Sequence, residues 1–205
     1  ARYVEFLGQG KDTQIFNQLV YLGGGRANIA SDGQDPGPDD PQAIQDHVAI
    51  LSAGLTGDRQ DRRRGSLYAL WTLEDRVWTR SDALLGKVAG LLDPPCTDAV
   101  ARRYASMVLK ASPPPAGTHK ALLRAALQDD DRSVRKNAVE AIGNTGVKEL
   151  GPALVPALQD EFPEVRRQAS LSLVALGHDV PLGTLIQIYD ADNAAMRAEV
   201  LEVIA

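Results

Sequence analysis

LQDDDRSVRKNAVEAIG, residues 127–143, returns thirty-one positions later as LQDEFPEVRRQASLSLVALG, residues 158–177, and again from Tyr189 onward. Leu127, Leu158 and Tyr189 share one column, and Val134, Val165 and Met196 a second. Ala138, Ala169 and Val200 form a third, and Ile142, Leu173 and Ile204 a fourth. Apolar residues in fixed columns at a fixed period mean that one supersecondary unit is stacked on copies of itself.

Within the clearest unit, residues 118–128 (THKALLRAALQ) place Leu122, Leu123, Ala126 and Leu127 at the spacing of an amphipathic helix. Asp129 to Asp131 make a turn, and Ser133 is placed to cap a second helix. That helix runs through Val134, Ala138, Ala141 and Ile142 to a stop at Gly143. The next unit predicts a helix over 150–159, a turn over 160–163, and a helix from Pro163 to Leu176 that stops at Gly177. Pro163 suits a first helical turn, where no N–H is needed. The last unit predicts a short helix over 181–189 and another from Asn193.

Upstream the grammar continues with looser spacing. In ARRYASMVL (101–109), Arg102 and Ala105 match Arg135 and Ala138 at an offset of 33, and Arg63, Ser66 and Leu70 match after a further 39. Three successive arginines leave that last register open by one position. Partner helices are expected at 41–54 and 81–92. Residues 1–40 differ: a helix at 12–22 ends at Gly23, Gly24 and Gly25, and a Gly/Pro/Asp-rich loop follows. Strand signals are nearly absent, so the fold class is all-α. The expected domains are residues 1–40 and a repeat array of about five units over 41–205.

An Asp at the turn and V-R-x-x-A opening the second helix resemble the HEAT repeat: Asp129 with Val134, Arg135 and Ala138, and Asp160 with Val165, Arg166 and Ala169. Met196, Arg197 and Val200 make a third copy, with Ala191 where Asp is expected. The short period is closer to the compact HEAT-like units of phycobilin-lyase-type proteins than to units of about 40–47 residues. The resemblance implies a right-handed α-solenoid of antiparallel helix pairs. It also implies a ladder of hydrogen bonds between successive repeats, carried here by Asp129, Arg135, Asp160, Arg166 and Arg197. Physically, an arginine fork can bridge a carboxylate and a neighbouring turn's carbonyls at once.

The resemblance is specific for fold and almost silent on function. Similar proteins are mostly scaffolds and adaptors, with a minority of enzymes such as phycobilin lyases. Arg63, Arg102, Arg135, Arg166 and Arg197 fall in one column, read as that structural ladder rather than a basic track for a polyanion. The adjacent column holds Arg64, Arg103, Lys136 and Arg167, then Ala198; beside it run Tyr104, Asn137, Gln168 and Glu199. In HEAT-like arrays the second helices line the concave side. Arg64, Arg103, Tyr104, Lys136, Asn137, Arg167 and Gln168 are therefore the candidate partner-binding residues, for an acidic peptide or a partner helix. A solvated charged face is the alternative.

Composition narrows the remaining classes. With 22 basic and 27 acidic residues the net charge is −5, which argues against general nucleic-acid binding. No run approaches the roughly 18 apolar residues of a membrane span. The one cysteine, Cys96, permits no internal disulfide and fits a reducing compartment, so a cytoplasmic location is expected. The chain begins at Ala1 rather than Met and stops at Ala205 inside a helical pattern, as expected of a piece of a longer protein.

No catalytic set stands out. His47, His119 and His178 follow no ligand spacing, and with one cysteine there is no thiolate zinc set, so no metal or cofactor is expected. His178, just after Gly177, is placed to meet the terminal carbonyls of the helix before it. Asp32, Asp35, Asp39 and Asp40 lack the spacing of a calcium loop. Tyr68, Trp71 and Trp78 cluster in an aromatic-poor chain, as packing between irregular repeats or as the rim of a pocket for a planar ligand. The reading is a non-enzymatic scaffold that binds a protein or peptide partner. The alternative is a ligand-handling enzyme subunit resembling the phycobilin lyases.

Overall fold

A computed structural model describes residues 41–72, 81–93, 96–111 and 114–188. The helix expected at 12–22, the loop at 31–40, Trp78, and the helix from Asn193 with Arg197 lie outside these residues. The chain divides into two compact units, Ala1–Ser112 and Pro113–Ala205. Among the described residues there is no strand, and the fold is an all-α solenoid of helix pairs.

The first unit holds α1 (Pro41–Thr56), α2 (Gln60–Thr72), α3 (Asp82–Gly90) and α4 (Ala99–Lys110). Helix α1 pairs with α2 and α3 with α4, while α1 also packs on α3 and α2 on α4. First helices therefore stack on first helices and second on second, which is how a repeat buries its apolar face against the next copy. Leu51, Leu55, Leu67, Leu70, Leu84, Val88 and Leu109 fill the interior. Ser81 caps α3 by accepting from the Leu84 N–H, and Asp98 caps α4 by accepting from the N–H groups of Val100 and Ala101.

In the second unit, a 3-10 turn at Ala116–Thr118 leads into α5 (His119–Gln128), followed by α6 (Arg132–Asn144). Next come a short α7 (Gly151–Leu154), α8 (Pro163–Ala175) and α9 (Leu182–Ile188). Helix α5 packs on α6 and on α7, and α6 on α8, the same first-on-first and second-on-second scheme. Leu122, Val134, Val139, Ile142, Leu154, Leu173 and Leu176 are the largest fully buried side chains among its described residues.

Three local expectations are corrected. Asp131, not Ser133, caps α6: its carboxylate accepts from the Ser133 N–H at 2.8 Å, leaving Ser133 in the first helical turn. The helix expected over 150–159 is broken into a 3-10 turn at Lys148–Leu150, α7, and a second 3-10 stretch at Val155–Gln159. Pro156 has no N–H for the carbonyl four residues back, so the α pattern cannot continue through it.

The third correction concerns Gly143, which is not a stop. Helix α6 runs through it to Asn144, and the left-handed residue that ends the helix is Gly146, at φ 65°. Gly143 is instead a point of close approach, since a Cβ there would sit 2.6 Å from Ser172 Oγ and 3.0 Å from Ser172 Cα on α8. Gly177 is a true stop at φ 75°. Its N–H donates to Val174 O at 2.9 Å and that of His178 to Leu173 O at 2.9 Å, the paired closure of a Schellman end.

Candidate functional site

The arginine column resolves into one repeated backbone contact. Arg63 donates to the carbonyl of Gly57 at 2.8 Å, Arg102 to that of Cys96 at 3.1 Å, Arg135 to that of Asp129 at 2.7 Å, and Arg166 to that of Asp160 at 2.8 Å. In each case the acceptor lies six residues before the arginine. Each second helix therefore ties its own entry turn, and the contact places Arg63 in register with Arg102, Arg135 and Arg166. Because the acceptor is main chain, the turn residue is free to be Gly, Cys or Asp.

Arg135 also reaches the next repeat. Its Nε and Nη2 grip the two carboxylate oxygens of Asp160 at 2.7 and 3.0 Å, with Glu161 Oε1 at 3.2 Å. Its guanidinium lies 5.4 Å from the centre of the Phe162 ring. Asp160 in turn accepts from the Phe162 N–H at 2.9 Å, as Asp129 accepts from the Asp131 N–H at 2.9 Å in the equivalent turn one repeat earlier. Arg166 donates to the carbonyls of Asp160 and Glu161.

In the first unit the inter-repeat link is made by different residues. Cys96 stands where Asp129 and Asp160 stand downstream, so no carboxylate is available at that turn position. Asp98, two residues on, supplies it: Arg64 Nε donates at 2.9 Å to Oδ2, and Nη2 at 2.8 Å to Oδ1. Arg64, one of the candidate partner-binding residues, thus has its fork occupied inside the fold. The signal for Asp98 was its place three residues before Ala101, the column of the capping Asp131.

Burial pushes the Asp98 carboxyl pKa upward, but the Arg64 guanidinium and the N–H groups of Ala101 and Val100 outweigh it and hold the pKa below its ordinary value. A folded-state pKa below the unfolded one gives stability that is present above the unfolded value and lost as pH falls through the folded one. The Asp98 contribution is therefore expected to disappear as the solution is acidified below about 3.8. Asp98→Asn keeps an N-cap acceptor yet loses the ion pair. It should lower the urea midpoint at pH 7 and show a shallower fall in acid than the parent chain.

The remaining candidates divide by unit. On α4, Arg103 is exposed on the side away from the buried Ala101, Ala105, Val108 and Leu109, and Tyr104 is half-buried at the edge of that buried face. Tyr104 meets Tyr68 and Trp71 of α2: Tyr68–Trp71 ring centres are 5.7 Å apart, Tyr68–Tyr104 5.8 Å and Trp71–Tyr104 6.4 Å. On α6, Lys136 is half-buried beside Glu140, but Asn137 is only 9% exposed. Position 137 lies about 100° further round the helix than 136, on a flank that packing covers, so it offers little to a partner. On α8, Arg167 and Gln168 are half-buried, and Gln168 Nε2 lies 3.5 Å from Ser172 Oγ.

His119 and His178 both bond main-chain carbonyls within the fold. His119 Nε2 lies 3.3 Å from Pro114 O. The His178 ring does not meet its own helix end as expected; its backbone N–H does that, while Nε2 reaches Lys148 O at 2.9 Å. Gly151 makes room, since a Cβ there would run into the imidazole. No group of three or more metal-capable side chains occurs among the described residues.

A family model described as HEAT repeats matches residues 119–205. Over this segment the chain is similar to HEAT repeats. The match begins with α5 and includes the HEAT pair α5–α6 and the arginine ladder between α6 and α8. A search of curated proteins gives no match. Among solved structures, an engineered protein from a structural genomics consortium is similar at 18% identity and a TM-score of 0.61, covering 99% of this chain and 96% of its own. A second engineered protein from that consortium gives 19% and 0.62, over 99% and 94% of the two chains. Computationally designed armadillo repeat proteins for modular peptide recognition give 18% and 0.61, over 99% and 97%. At these identities the likeness extends to the repeat fold alone. No helix among the described residues is long and apolar enough to cross a membrane.

Proposed function

We propose that the chain is a non-enzymatic scaffold that binds a protein or peptide partner on the concave face expected of its second helices. The observation that carries this reading is the register of Arg103, Lys136 and Arg167. Each stands one residue after an arginine that ties its own turn, so α4 in the first unit and α6 and α8 in the second each carry a cation at the same register. Tyr104 and Gln168 flank that register, and Arg64 and Asn137 contribute through packing rather than contact. The likeness to armadillo repeat proteins for modular peptide recognition supports the same use of a helical repeat surface. Complementary carboxylates on the partner would set its orientation more than its affinity.

The test compares the parent chain with Arg103→Glu/Lys136→Glu/Arg167→Glu in capture from nuclease-treated extract. Captured proteins are identified and re-measured as purified pairs. The variant is expected to keep its helicity and melting temperature while losing the partner by more than tenfold in Kd, since three reversals each cost of the order of 1 kcal/mol or more. Equal binding by parent and variant would overturn the proposal.

A further inference from the structure

The register fixed by the arginine column also identifies two core positions on each second helix. One residue before the turn-tying arginine stand Arg62, Ala101, Val134 and Val165, and three residues after it Ser66, Ala105, Ala138 and Ala169. Every apolar member of these columns is 0% exposed. Among the described second helices, α2 is the one that is polar at both positions. Ser66 is as buried as its equivalents and Arg62 is half-buried. Ser66 Oγ and Arg62 Nε are both buried with no hydrogen-bond partner.

Ser66 lies against α1. A Cβ on Gly54 would run into Ser66 Oγ and stand 3.2 Å from Ser66 Cβ and 3.3 Å from the Arg62 carbonyl oxygen. The two helices therefore meet through a glycine, which has no side chain to pair with the hydroxyl. Arg62 precedes Ser66 by one helical turn and Leu70 follows it by one, all on one face. The boundary of α2 with α4 is built differently. There the Arg64 fork holds both oxygens of Asp98, and Tyr104 meets Tyr68 and Trp71.

We infer that α1 is a detachable helix, which releases from α2 and α3 while α2 stays locked on α4. Arg62 and Ser66 set how readily it does so, because each buried polar atom without a partner disfavours the closed pair and meets water once α1 leaves. Gly54 acts in the same direction, since glycine inside a helix favours the unfolded chain, and a sixteen-residue helix without tertiary packing is marginal in water. What retains α1 is mainly apolar: Leu51 and Leu55 are buried, whereas the bond from Lys87 Nζ to Ser52 Oγ lies at the surface. Release uncovers the face of α2 that carries Ser66 and Leu70. That face is thus covered conditionally, by a helix of the same chain with its own opening equilibrium.

Amide hydrogen exchange of the intact chain, read by mass spectrometry helix by helix, tests this. Amides of α1 are expected to exchange about tenfold or more faster than those of α2 and α4. Ser66→Ala, which gives α2 the residue found in the same column of α4, α6 and α8, should slow exchange in α1 about tenfold. Exchange in α6 and α8 should be unchanged. Arg62→Met keeps an unbranched stem without the buried Nε and should act in the same direction, a second reading if Ser66→Ala disturbs the fold. Equal exchange in α1 and α2 of the parent chain would mean that the pair opens as one, and would overturn the inference. So would slowing that reaches α6 and α8 alike, which marks global unfolding, or slowing confined to α2, which reflects the helix propensity of alanine alone. Unchanged exchange of α1 in both variants would show that neither polar atom governs its release, and would overturn it as well.

Discussion

Replacing Arg135 with alanine is expected to lower the free energy of unfolding by about 3–5 kcal/mol, the range for removing one partner of a buried ion pair. The side chain is 8% exposed, and so is that of its partner Asp160. The loss has three parts. The carboxylate of Asp160 stays buried without its guanidinium, the carbonyls of Asp129 and Asp130 lose their donor, and the Phe162 ring loses one of its two cations, keeping Arg132. Arg166→Ala is the internal comparison. Arg166 donates only to the carbonyls of Asp160 and Glu161 and is half-buried, so about 1 kcal/mol is expected. Urea denaturation of both variants decides the point. Comparable small losses would mean that the inter-repeat link contributes little. A double replacement, Arg135→Met with Asp160→Leu, should recover part of the loss, because no charge is then left buried.

That contrast also marks where the sequence was legible. The thirty-one-residue period and its apolar columns led directly to helix pairs, since each column is a packing position repeated from unit to unit. The arginine column was equally visible, but its common acceptor was not. A main-chain carbonyl six residues back leaves no trace in side-chain identity, and Gly57, Cys96, Asp129 and Asp160 serve alike. The ladder's shift from Arg135–Asp160 to Arg64–Asp98 was hidden for a related reason. Three consecutive arginines admit several alignments, and the carboxylate moved two residues once cysteine took the turn position. The candidate surface was legible as a stripe of residue types only. Burial of Asn137 and capture of Arg64 depend on neighbours that a single helix's periodicity does not contain, and the meeting of Tyr104 with Tyr68 and Trp71 depends on α4 stacking on α2.

Gly143 was legible as glycine and misread as a stop, and the difference has a measurable consequence. If the residue merely ended a helix, a side chain there would cost little, since Gly146 already takes the left-handed conformation. The structure instead puts Gly143 where α6 crosses α8, with Ser172 Oγ 2.6 Å and Ser172 Cα 3.0 Å from where a Cβ would stand. A flexible side-chain tip can move aside, but a backbone atom at 3.0 Å can retreat only if α8 does. Gly143→Val is therefore expected to destabilise the chain by about 3 kcal/mol, the upper part of the range for overpacking a filled core. Helix propensity alone would change stability by a few tenths of a kcal/mol, in the stabilising direction. Ser172→Gly in the same chain removes the Oγ and Cβ clashes but leaves the main chain of α8 where it was. The double variant should regain part of the loss, with a coupling energy of about 1 kcal/mol. Thermal melts of the two single variants and the double complete the cycle. A neutral Gly143→Val would mean that α6 and α8 are not held at this crossing. Simple additivity would place the strain on the α8 backbone rather than on Ser172's side chain.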